Sequence, residues 1–368
     1  MVEARRLRIT HIDTASDLRG GQHQLLQLAR GLRDLGHQQL IVCPDGSELE
    51  ARGQAEGFRV FALPEYDPGH AHGAMLLRQQ LRSDPVDVLH AHDGQGHSLA
   101  WLASFGLPIK RVASRRVIFQ PGLPLLHRLK YQYTCHVIIA VSGYIRELLV
   151  ESGIPPNRIE VIPDGVEFPA SPPSVHTRAA ARSAWGFTER EFVVGHLGAF
   201  THEKGQEVAA EALRLLASAL PEVRLVLAGG GRAPDSLRSI SALRDQKERI
   251  LFLNRIEEVE HFFAGLDLFI MPSRAEGLGS AVLLAMANGL PVIASRAGGL
   301  PEIVEEGQTG WLVPAGSPQA LADAIVRAAS DRDRLVQFGR RGREKAREFS
   351  TGIMVRRTEA VYRRLLKR

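Results

Sequence analysis

The chain has 368 residues, a length that favours two α/β domains. Hydrophobic residues make up 44% of the sequence and charged residues 24%, which excludes wholesale disorder. The two cysteines are too few for a disulfide framework and favour a reducing cytoplasm. The sequence has no apolar run of about 18 residues that would span a membrane. The first ten residues are too polar for a signal segment.

Basic residues are concentrated in two parts of the chain, although the net charge is only +5. Between Gly94 and Arg146 there are seven basic residues and no acidic one. From Arg334 to Arg368 there are twelve basic and three acidic residues. These segments are therefore expected to face something anionic.

Apolar, β-rich runs alternate with helical patterns, which predicts parallel sheets with crossover helices. The strands predicted in the first half are 7–13, 39–43, 59–63, 86–92, 110–114, 137–142 and 159–163. A second series comprises 192–198, 223–229, 250–254, 266–272, 291–295 and 310–313, with helices at about 204–220, 235–246, 278–288 and 318–330.

The proline-containing segment 169–190 lacks a regular apolar pattern and is predicted to be a linker. It separates an N-terminal domain, 1–168, from a C-terminal domain, 191–350. The interruption at 169–190 and the new series of strands after it favour two Rossmann-like parallel-sheet domains, facing each other across a cleft, over a single (β/α)₈ barrel.

Residues that follow parallel strands are the candidates for ligand binding. Gly20 and Gly21 follow the first strand and open a helix, where free amides attract anions. Arg19 would add a cation. The alternative is a tight turn that needs glycine.

The fourth strand ends in His90, Ala91, His92 and Asp93. Alternation along the strand places both histidines on the same face. His92 is the candidate for contacting a phosphate or positioning a hydroxyl, whereas His90 is expected to pack beneath a helix. Nearby ligands at metal-site spacing are lacking, so the pattern predicts no metal site.

Two further strand ends in the second half carry candidate residues. Lys204 lies after Gly198 at a strand-to-helix junction, where a cation and helix amides suit a diphosphate. The alternative is a solvated surface charge. Gly229 follows the next strand and either admits a ligand closely or forms a flexible turn.

Glu276 precedes Gly277, Leu278 and Gly279 at the start of another helix. Its carboxylate is well placed to accept hydrogen bonds from sugar hydroxyls, and the amides after it would act as donors. The alternative is a favourable charge near a helix start.

The acid-free segment interleaves basic and apolar side chains, which suits an anionic membrane surface or a lipid-linked acceptor. A partly buried helix with a basic outer side is the alternative. No recognisable nucleic-acid motif accompanies the basic residues, so no nucleic-acid partner is expected. The residues are Arg115, Arg116, Phe119, Leu123, Leu125, Leu126, Arg128, Lys130, Tyr131 and Tyr133.

In order and spacing, these motifs resemble the retaining glycosyltransferases of family 4 over nearly the whole length. The resemblance includes the segments 161–166, 289–294 and 298–302, with Gly310. It implies a GT-B fold, an N-terminal half that binds the acceptor, and a C-terminal half that binds a nucleotide-sugar donor. It also implies that residues 351–368 form a helix crossing back to the first domain.

The resemblance implies a role for each candidate residue. Lys204 would hold the donor diphosphate, and Glu276 with the amides after it would contact the donor sugar. His92 would lie near the transferred sugar, and the loop of Gly20 and Gly21 would close over the diphosphate and acceptor. The remaining donor residues are Gly198, Gly229, Gly277, Leu278 and Gly279, and the acceptor or anion residues are Arg19, Asp93, Arg115 and Arg116. The expected chemistry needs neither a metal nor a cofactor.

Two positions depart from the family pattern. Ala199 stands where the family often has arginine, and Leu284 where it often repeats a carboxylate that holds the ribose. These departures leave a non-catalytic nucleotide-sugar-binding protein as an alternative. A sugar-nucleotide epimerase or hydrolase of the same fold is a further alternative. An NAD-dependent oxidoreductase is the outside alternative.

Overall fold

The computed structural model describes residues 5–64, 71–118, 130–170, 173–231, 237, 249–256 and 258–367. The chain divides into two compact units, one of Met1–Gly165 with Thr351–Arg368 and the other of Val166–Ser350. Each unit contains one parallel sheet, which confirms the predicted fold class. Within these ranges, no helix combines the length and the hydropathy needed to cross a bilayer.

The first unit contains a seven-stranded sheet in the order β3-β2-β1-β4-β5-β6-β7, with all neighbouring strands parallel. The predicted strands are confirmed with small shifts at their ends. They are β1 (Arg8–Ile12), β2 (Gln38–Pro44), β3 (Arg59–Leu63), β4 (Val88–Ala91), β5 (Lys110–Arg115), β6 (Val137–Ala140) and β7 (Ile159–Val161).

The second unit contains a six-stranded parallel sheet in the order β10-β9-β8-β11-β12-β13. Its strands are β8 (Phe192–Leu197), β9 (Val223–Ala228), β10 (Ile250–Leu253), β11 (Leu268–Met271), β12 (Val292–Ser295) and β13 (Gly310–Val313). The order of both sheets reverses once, between β1 and β4 and between β8 and β11. Ligands of such sheets bind at this reversal, outside the carboxyl ends of the strands.

Helices cover the sheets, so the central strands are buried and continuously apolar. Every residue of β4 and of β11 is buried. The helices are α1 (Gly20–Asp34), α2 (Glu48–Ala55), α3 (Ala71–Ser83), α4 (Gly94–Ser104), α5 (Gly143–Glu151), α6 (Val175–Ala184), α7 (Gln206–Leu215), α8 (Val259–Ala264), α9 (Ser280–Ala287), α10 (Leu300–Ile303), α11 (Pro318–Ser330), α12 (Arg332–Ala346) and α13 (Thr351–Leu366).

The last helix, α13, packs in the first unit against α1. A Cβ added at Gly31 of α1 would lie 2.4 Å from Val355 Cγ2, so the glycine permits this close approach. His37 follows α1, and its Nε2 lies 3.0 Å from Glu359 Oε1 of α13. The C-terminal residues are therefore part of the N-terminal core.

The segment 169–190 differs from the predicted linker because it contains α6. Ser174 accepts a hydrogen bond from Thr177 N at 3.0 Å and caps this helix. The buried Arg182 donates to Asp267 Oδ2 at 2.6 Å. The buried face of α6 thus consists of alanine and arginine, which produces no large apolar stripe in the sequence.

Two predictions lie outside the described residues. One concerns the interleaved basic and apolar side chains between residues 119 and 129. The other is the helix predicted at 235–246, nearly all of which is outside the described ranges.

Candidate functional site

Lys204 and Glu276 meet at the carboxyl ends of β8 and β11, where the strand order of the second sheet reverses. A short 3₁₀ turn, His202–Lys204, carries the lysine. Its Nζ donates to Glu276 Oε1 at 3.0 Å and to Oε2 at 2.7 Å. The side chains retain 27% and 11% exposure, so this charged pair lies partly open to solvent.

Close backbone approaches fix the two segments that carry this pair. A Cβ at Gly298 (φ +55°) would lie 1.7 Å from Glu276 O, and Gly299 N donates to the same oxygen at 3.1 Å. A Cβ at Gly205 (φ +68°) would lie 2.2 Å from Pro272 O. Glycine is therefore required at both positions, since larger residues would push the segments apart.

The glycines predicted to bind the donor have identifiable structural reasons. A Cβ at Gly229 would lie 1.9 Å from Gly198 O, so the ends of β8 and β9 pack backbone to backbone. Gly279 adopts φ +106° at the start of α9, and the side chain of Leu278 is buried. Gly277 lies between Glu276 and this turn. Donor contacts by these residues stay a prediction.

His196 is a buried neighbour of Lys204 that the sequence analysis missed. It lies within β8, and its side chain is fully buried. Burial, and secondarily the positive charge of Lys204, lowers the pKa of His196 to about 3. The imidazole is consequently neutral at physiological pH, and adds no charge beside Lys204.

In the first unit, a chain of hydrogen bonds leads from Gln39, near the start of β2, to the carboxyl edge of the sheet. His11 Nε2 lies 2.7 Å from Gln39 Oε1, and His11 Nδ1 lies 3.0 Å from His92 Nε2. His92 Nδ1 lies 3.3 Å from Arg116 Nη1, and Arg116 Nε donates to Asp164 Oδ1 at 2.9 Å. Five polar side chains are thus connected, two of them in β1 and β2 and three in the segments that follow β4, β5 and β7.

Arginine fixes the direction of this chain because a guanidinium only donates hydrogen bonds. His92 Nδ1 must accept from Arg116, so His92 Nε2 carries the proton and donates to His11 Nδ1. His11 Nε2 in turn donates to Gln39. Burial lowers the pKa of His11 to about 4 and that of His92 well below its usual value, so both rings are neutral.

His92 is more enclosed than the sequence analysis expected, and its contact with a ligand stays a prediction. Its side chain is buried, and its two ring nitrogens bond to His11 and Arg116. Alternation along β4 indicates on which face of the sheet His92 lies, but not which strand pairs with β4. The sequence therefore did not reveal that His11 of β1 is its neighbour. Arg116 is the cation that His92 orients, and its side chain keeps 12% exposure.

His90 is buried, as the packing alternative predicted. Its Nδ1 lies 2.6 Å from Tyr362 Oη of α13, and its Nε2 lies 2.8 Å from Ser114 Oγ. Ligand nitrogens of His11, His90 and His92 all lie within 4.8 Å of one another, a spacing suited to a metal ion. These rings are already joined to protein groups by hydrogen bonds, which an ion would have to displace.

Asp13 is a second residue that the sequence analysis missed. It follows β1, is 1% exposed, and accepts hydrogen bonds from Gln22 Nε2 at 2.8 Å and Ala15 N at 3.0 Å. Burial and then the negative charge of Asp93 raise the pKa of Asp13 to about 6. The sequence signal that could have identified Asp13 is an acidic residue at the end of a buried strand.

Three residues predicted to bind an acceptor or anion have structural partners. Asp93 caps α4 by accepting from Gly96 N at 2.5 Å. Arg115 is buried, with its guanidinium 5.7 Å from the ring centre of Tyr131. Arg19 is exposed and donates to Asp17 Oδ2 at 2.6 Å. Their ligand contacts stay predictions.

Gly20 and Gly21 form the first turn of α1, as predicted. A Cβ added at Gly21 would meet no described atom within 4 Å. Packing within the described part of the chain therefore gives no steric reason for a glycine there, unlike at Gly198 or Gly229.

Residues 177–345 match the family described as glycosyl transferases group 1, and residues 18–168 match Glycosyltransferase Family 4. Each half of the chain thus matches a glycosyltransferase family. It is 31% identical over 260 residues to the GDP-mannose-dependent alpha-(1-6)-phosphatidylinositol monomannoside mannosyltransferase of Mycolicibacterium smegmatis. That match covers 68% of this chain and 63% of the relative, so the chain spans less than two thirds of that protein.

Solved structures share the fold of this chain. A glycosyltransferase from Rickettsia africae has a TM-score of 0.88 at 20% identity, covering 98% of this chain and 99% of that one. HepE from Anabaena, in complex with UDP-glucose, has a TM-score of 0.87 at 20% identity, with 97% and 99% covered. The GT-B fold that the motifs implied is thus confirmed.

Replacement of Gly298 by alanine should destabilise the protein more than the same change at Gly289. Both positions have positive φ, but a Cβ at Gly289 would meet no described atom within 4 Å. Gly289→Ala should therefore cost only the conformational strain of about 1–2 kcal/mol. Gly298→Ala should cost more because it also displaces the backbone of Glu276. Urea denaturation measures both, and equal losses would contradict the close approach.

Substitution of Asp13 by asparagine should change how stability depends on pH. A carboxyl whose pKa is raised by folding destabilises the folded state increasingly as pH rises from about 4 to about 6. Asp13→Asn should therefore be more stable than the wild type at pH 7, by about 1–3 kcal/mol, and similar to it near pH 4. Denaturant titrations across this range measure the difference. A stability difference that does not change with pH would contradict the raised pKa.

Proposed function

We propose that the chain is a retaining, metal-independent glycosyltransferase that moves a sugar from a nucleoside diphosphate sugar to a glycan or lipid-linked acceptor of cell-envelope polysaccharide or lipopolysaccharide type. The observation that carries the proposal is the pairing of Lys204 with Glu276 at the strand-order reversal of the second sheet. The match of residues 177–345 to the group 1 glycosyl transferases supports it.

Lys204 is the cation proposed to hold the donor diphosphate. Its Nζ bonds to Glu276, and the pair lies where parallel sheets bind ligands. A diphosphate carries more negative charge than one carboxylate, and would attract Lys204 strongly in a partly buried site. Glu276 would then accept hydrogen bonds from hydroxyls of the donor sugar.

The proposed transfer breaks the bond between the anomeric carbon and the diphosphate oxygen, and forms a bond to the acceptor oxygen. The acceptor hydroxyl gives its proton to the departing diphosphate, so charge and atoms balance. Lys204 and the amides at the start of α9 would stabilise the negative charge that grows on the leaving group. Retention of configuration is taken from the family resemblance.

The first unit is proposed to bind the acceptor and to contact the donor diphosphate through the turn of Gly20 and Gly21. The open space at Gly21 suits a ligand that approaches the backbone. Arg116, oriented by His92 and Asp164, would meet an anionic group. Asp13, at the same sheet edge, would accept a hydrogen bond from an acceptor hydroxyl.

The reaction is proposed to take place in the cytoplasm, on the inner face of the membrane. The name of the Mycolicibacterium relative includes phosphatidylinositol monomannoside, which is a lipid. The basic segments of this chain would be attracted to an anionic bilayer surface.

Replacement of Lys204 by alanine should weaken donor binding. Loss of a charge-assisted hydrogen bond costs about 1.5–3 kcal/mol, equivalent to about a 10- to 100-fold higher Kd. Calorimetry with UDP-glucose and GDP-mannose measures this effect on the full chain. The corresponding nucleoside monophosphates lack the second phosphate, so the effect on them should be smaller.

Arg214→Ala is the matched control, because it breaks an exposed ion pair with Glu211 in the same unit. It should leave the donor Kd unchanged. Unchanged donor affinity in Lys204→Ala would remove Lys204 from the donor site. Mass spectrometry of the sugar products, with and without an acceptor extract, separates transfer from hydrolysis or epimerisation.

A further inference from the structure

A cavity of about 620 Å³ opens at the amino ends of β5, β6 and β7 in the first unit. Lys110 begins β5, His136 precedes β6, and Arg158 precedes β7. All of them line the cavity. The residues proposed to bind the acceptor lie instead at the carboxyl edge of the same sheet. The six residues of β5, Lys110–Arg115, span about 16 Å between the two edges.

The cavity combines both basic segments of the sequence. Lys110 and Arg111 belong to the acid-free segment, whereas Arg364 belongs to the basic C-terminal helix α13. Arg158 adds a further cation, and Glu160 is the carboxylate among the lining residues. The fold therefore collects charges that are far apart in the sequence.

Most of this positive charge is not neutralised by carboxylates. Among the described residues, the one salt bridge of these four cations joins Arg364 Nη2 to Glu160 Oε1 at 2.5 Å. Arg111 Nε donates to the carbonyl of Thr134 at 2.7 Å, and Arg158 donates to the carbonyl of Gln132. Neutral carbonyl partners orient these guanidinium groups without cancelling their charge.

The side chain of His136 lies among these positive charges. Its Nδ1 accepts from Arg111 N at 3.0 Å. Burial lowers its pKa, and the positive charges of Arg111 and Lys110 lower it further. The groups facing the ring are thus predominantly cationic, and a neutral imidazole is left at physiological pH.

We infer that this cavity binds a phosphate-bearing ligand, either a soluble phosphate ester or the headgroup of an anionic lipid. Its volume lies within the usual range of small-molecule sites, about 300–1,000 Å³. Arginine and lysine are the side chains that recognise phosphate by charge-assisted hydrogen bonds. The ligand binds at the opposite sheet edge from Arg116, so it does not compete for the acceptor site in this unit.

Calorimetry of the full chain with inositol hexakisphosphate tests the site. Lys110→Gln removes one cation whose side chain has no hydrogen bond among the described residues, so the variant should fold normally. It should weaken binding about tenfold, since one charge-assisted contact with phosphate is lost. Arg364→Gln, on a different element, should weaken it in the same direction. Thermal unfolding checks that both variants are folded.

Arg52→Gln is the matched control for loss of one positive charge. Arg52 is exposed on α2 and pairs with Glu56, which keeps Arg30 as a partner. Binding in this variant should stay within about twofold of the wild type, because remote exposed charges are screened by salt. Lys204→Ala should also retain the binding, which separates this site from the proposed donor site.

Co-sedimentation with vesicles distinguishes the two sources of phosphate. If Lys110→Gln reduces binding to phosphatidylcholine vesicles containing phosphatidylglycerol, a lipid headgroup is the ligand class. If Lys110→Gln reduces binding of inositol hexakisphosphate but not binding to the vesicles, the ligand class is a soluble phosphate ester. No heat from the wild type with the probe, or equal weakening in Lys110→Gln and Arg52→Gln, would overturn the inference.

Discussion

The ion pair of Lys204 and Glu276 depends on a backbone constraint that glycine alone satisfies. The backbone at Gly205, which follows β8, lies against the carbonyl oxygen of Pro272. The backbone at Gly298, which follows β12, lies against the carbonyl oxygen of Glu276. Gly205 and Gly298 permit these approaches, and the charged side chains then meet above the carboxyl ends of β8 and β11. Without this packing, a lysine and a glutamate separated by 72 positions would be ordinary surface charges.

The two sheets share the order of six strands, to which the first unit adds β7, but they place different chemistry at the reversal. In the second unit a partly open ion pair leaves a cation that an anionic ligand can recruit. In the first unit a directed chain of hydrogen bonds buries neutral histidines and leads to Arg116. A buried and fully bonded imidazole is a poor general base, so His92 positions its neighbours in the proposed function rather than exchanging protons.

The sequence predicted the strands well, because buried parallel strands are continuous apolar runs bounded by glycine and proline. It also selected Lys204 and Glu276 as candidates, since both follow strands and precede helices, and the structure brings their side chains together. Their contacts with a donor stay a prediction. It missed α6, whose buried side chains include Arg182 rather than large apolar residues. His11 and Asp13 escaped notice because their significance arises from the pairing of β1 with β4, which sequence periodicity does not determine.

The basic cavity shows the same limit of sequence reasoning. Charge counting located the acid-free segment and the basic C-terminus, and favoured an anionic partner for each. Only the fold shows that Lys110 and Arg364 line one cavity, while Arg115 and Arg116 lie at the other edge of the sheet. The acid-free segment thus contributes Lys110 to the basic cavity and Arg115 and Arg116 to the carboxyl edge of the sheet.

The most direct test of the central claim is a crystal structure of the chain with UDP-glucose or GDP-mannose bound. We expect the diphosphate oxygens to lie within hydrogen-bond distance of Lys204 Nζ, with the sugar hydroxyls bonded to Glu276. A diphosphate bound elsewhere, with Lys204 still paired only with Glu276, would contradict the account.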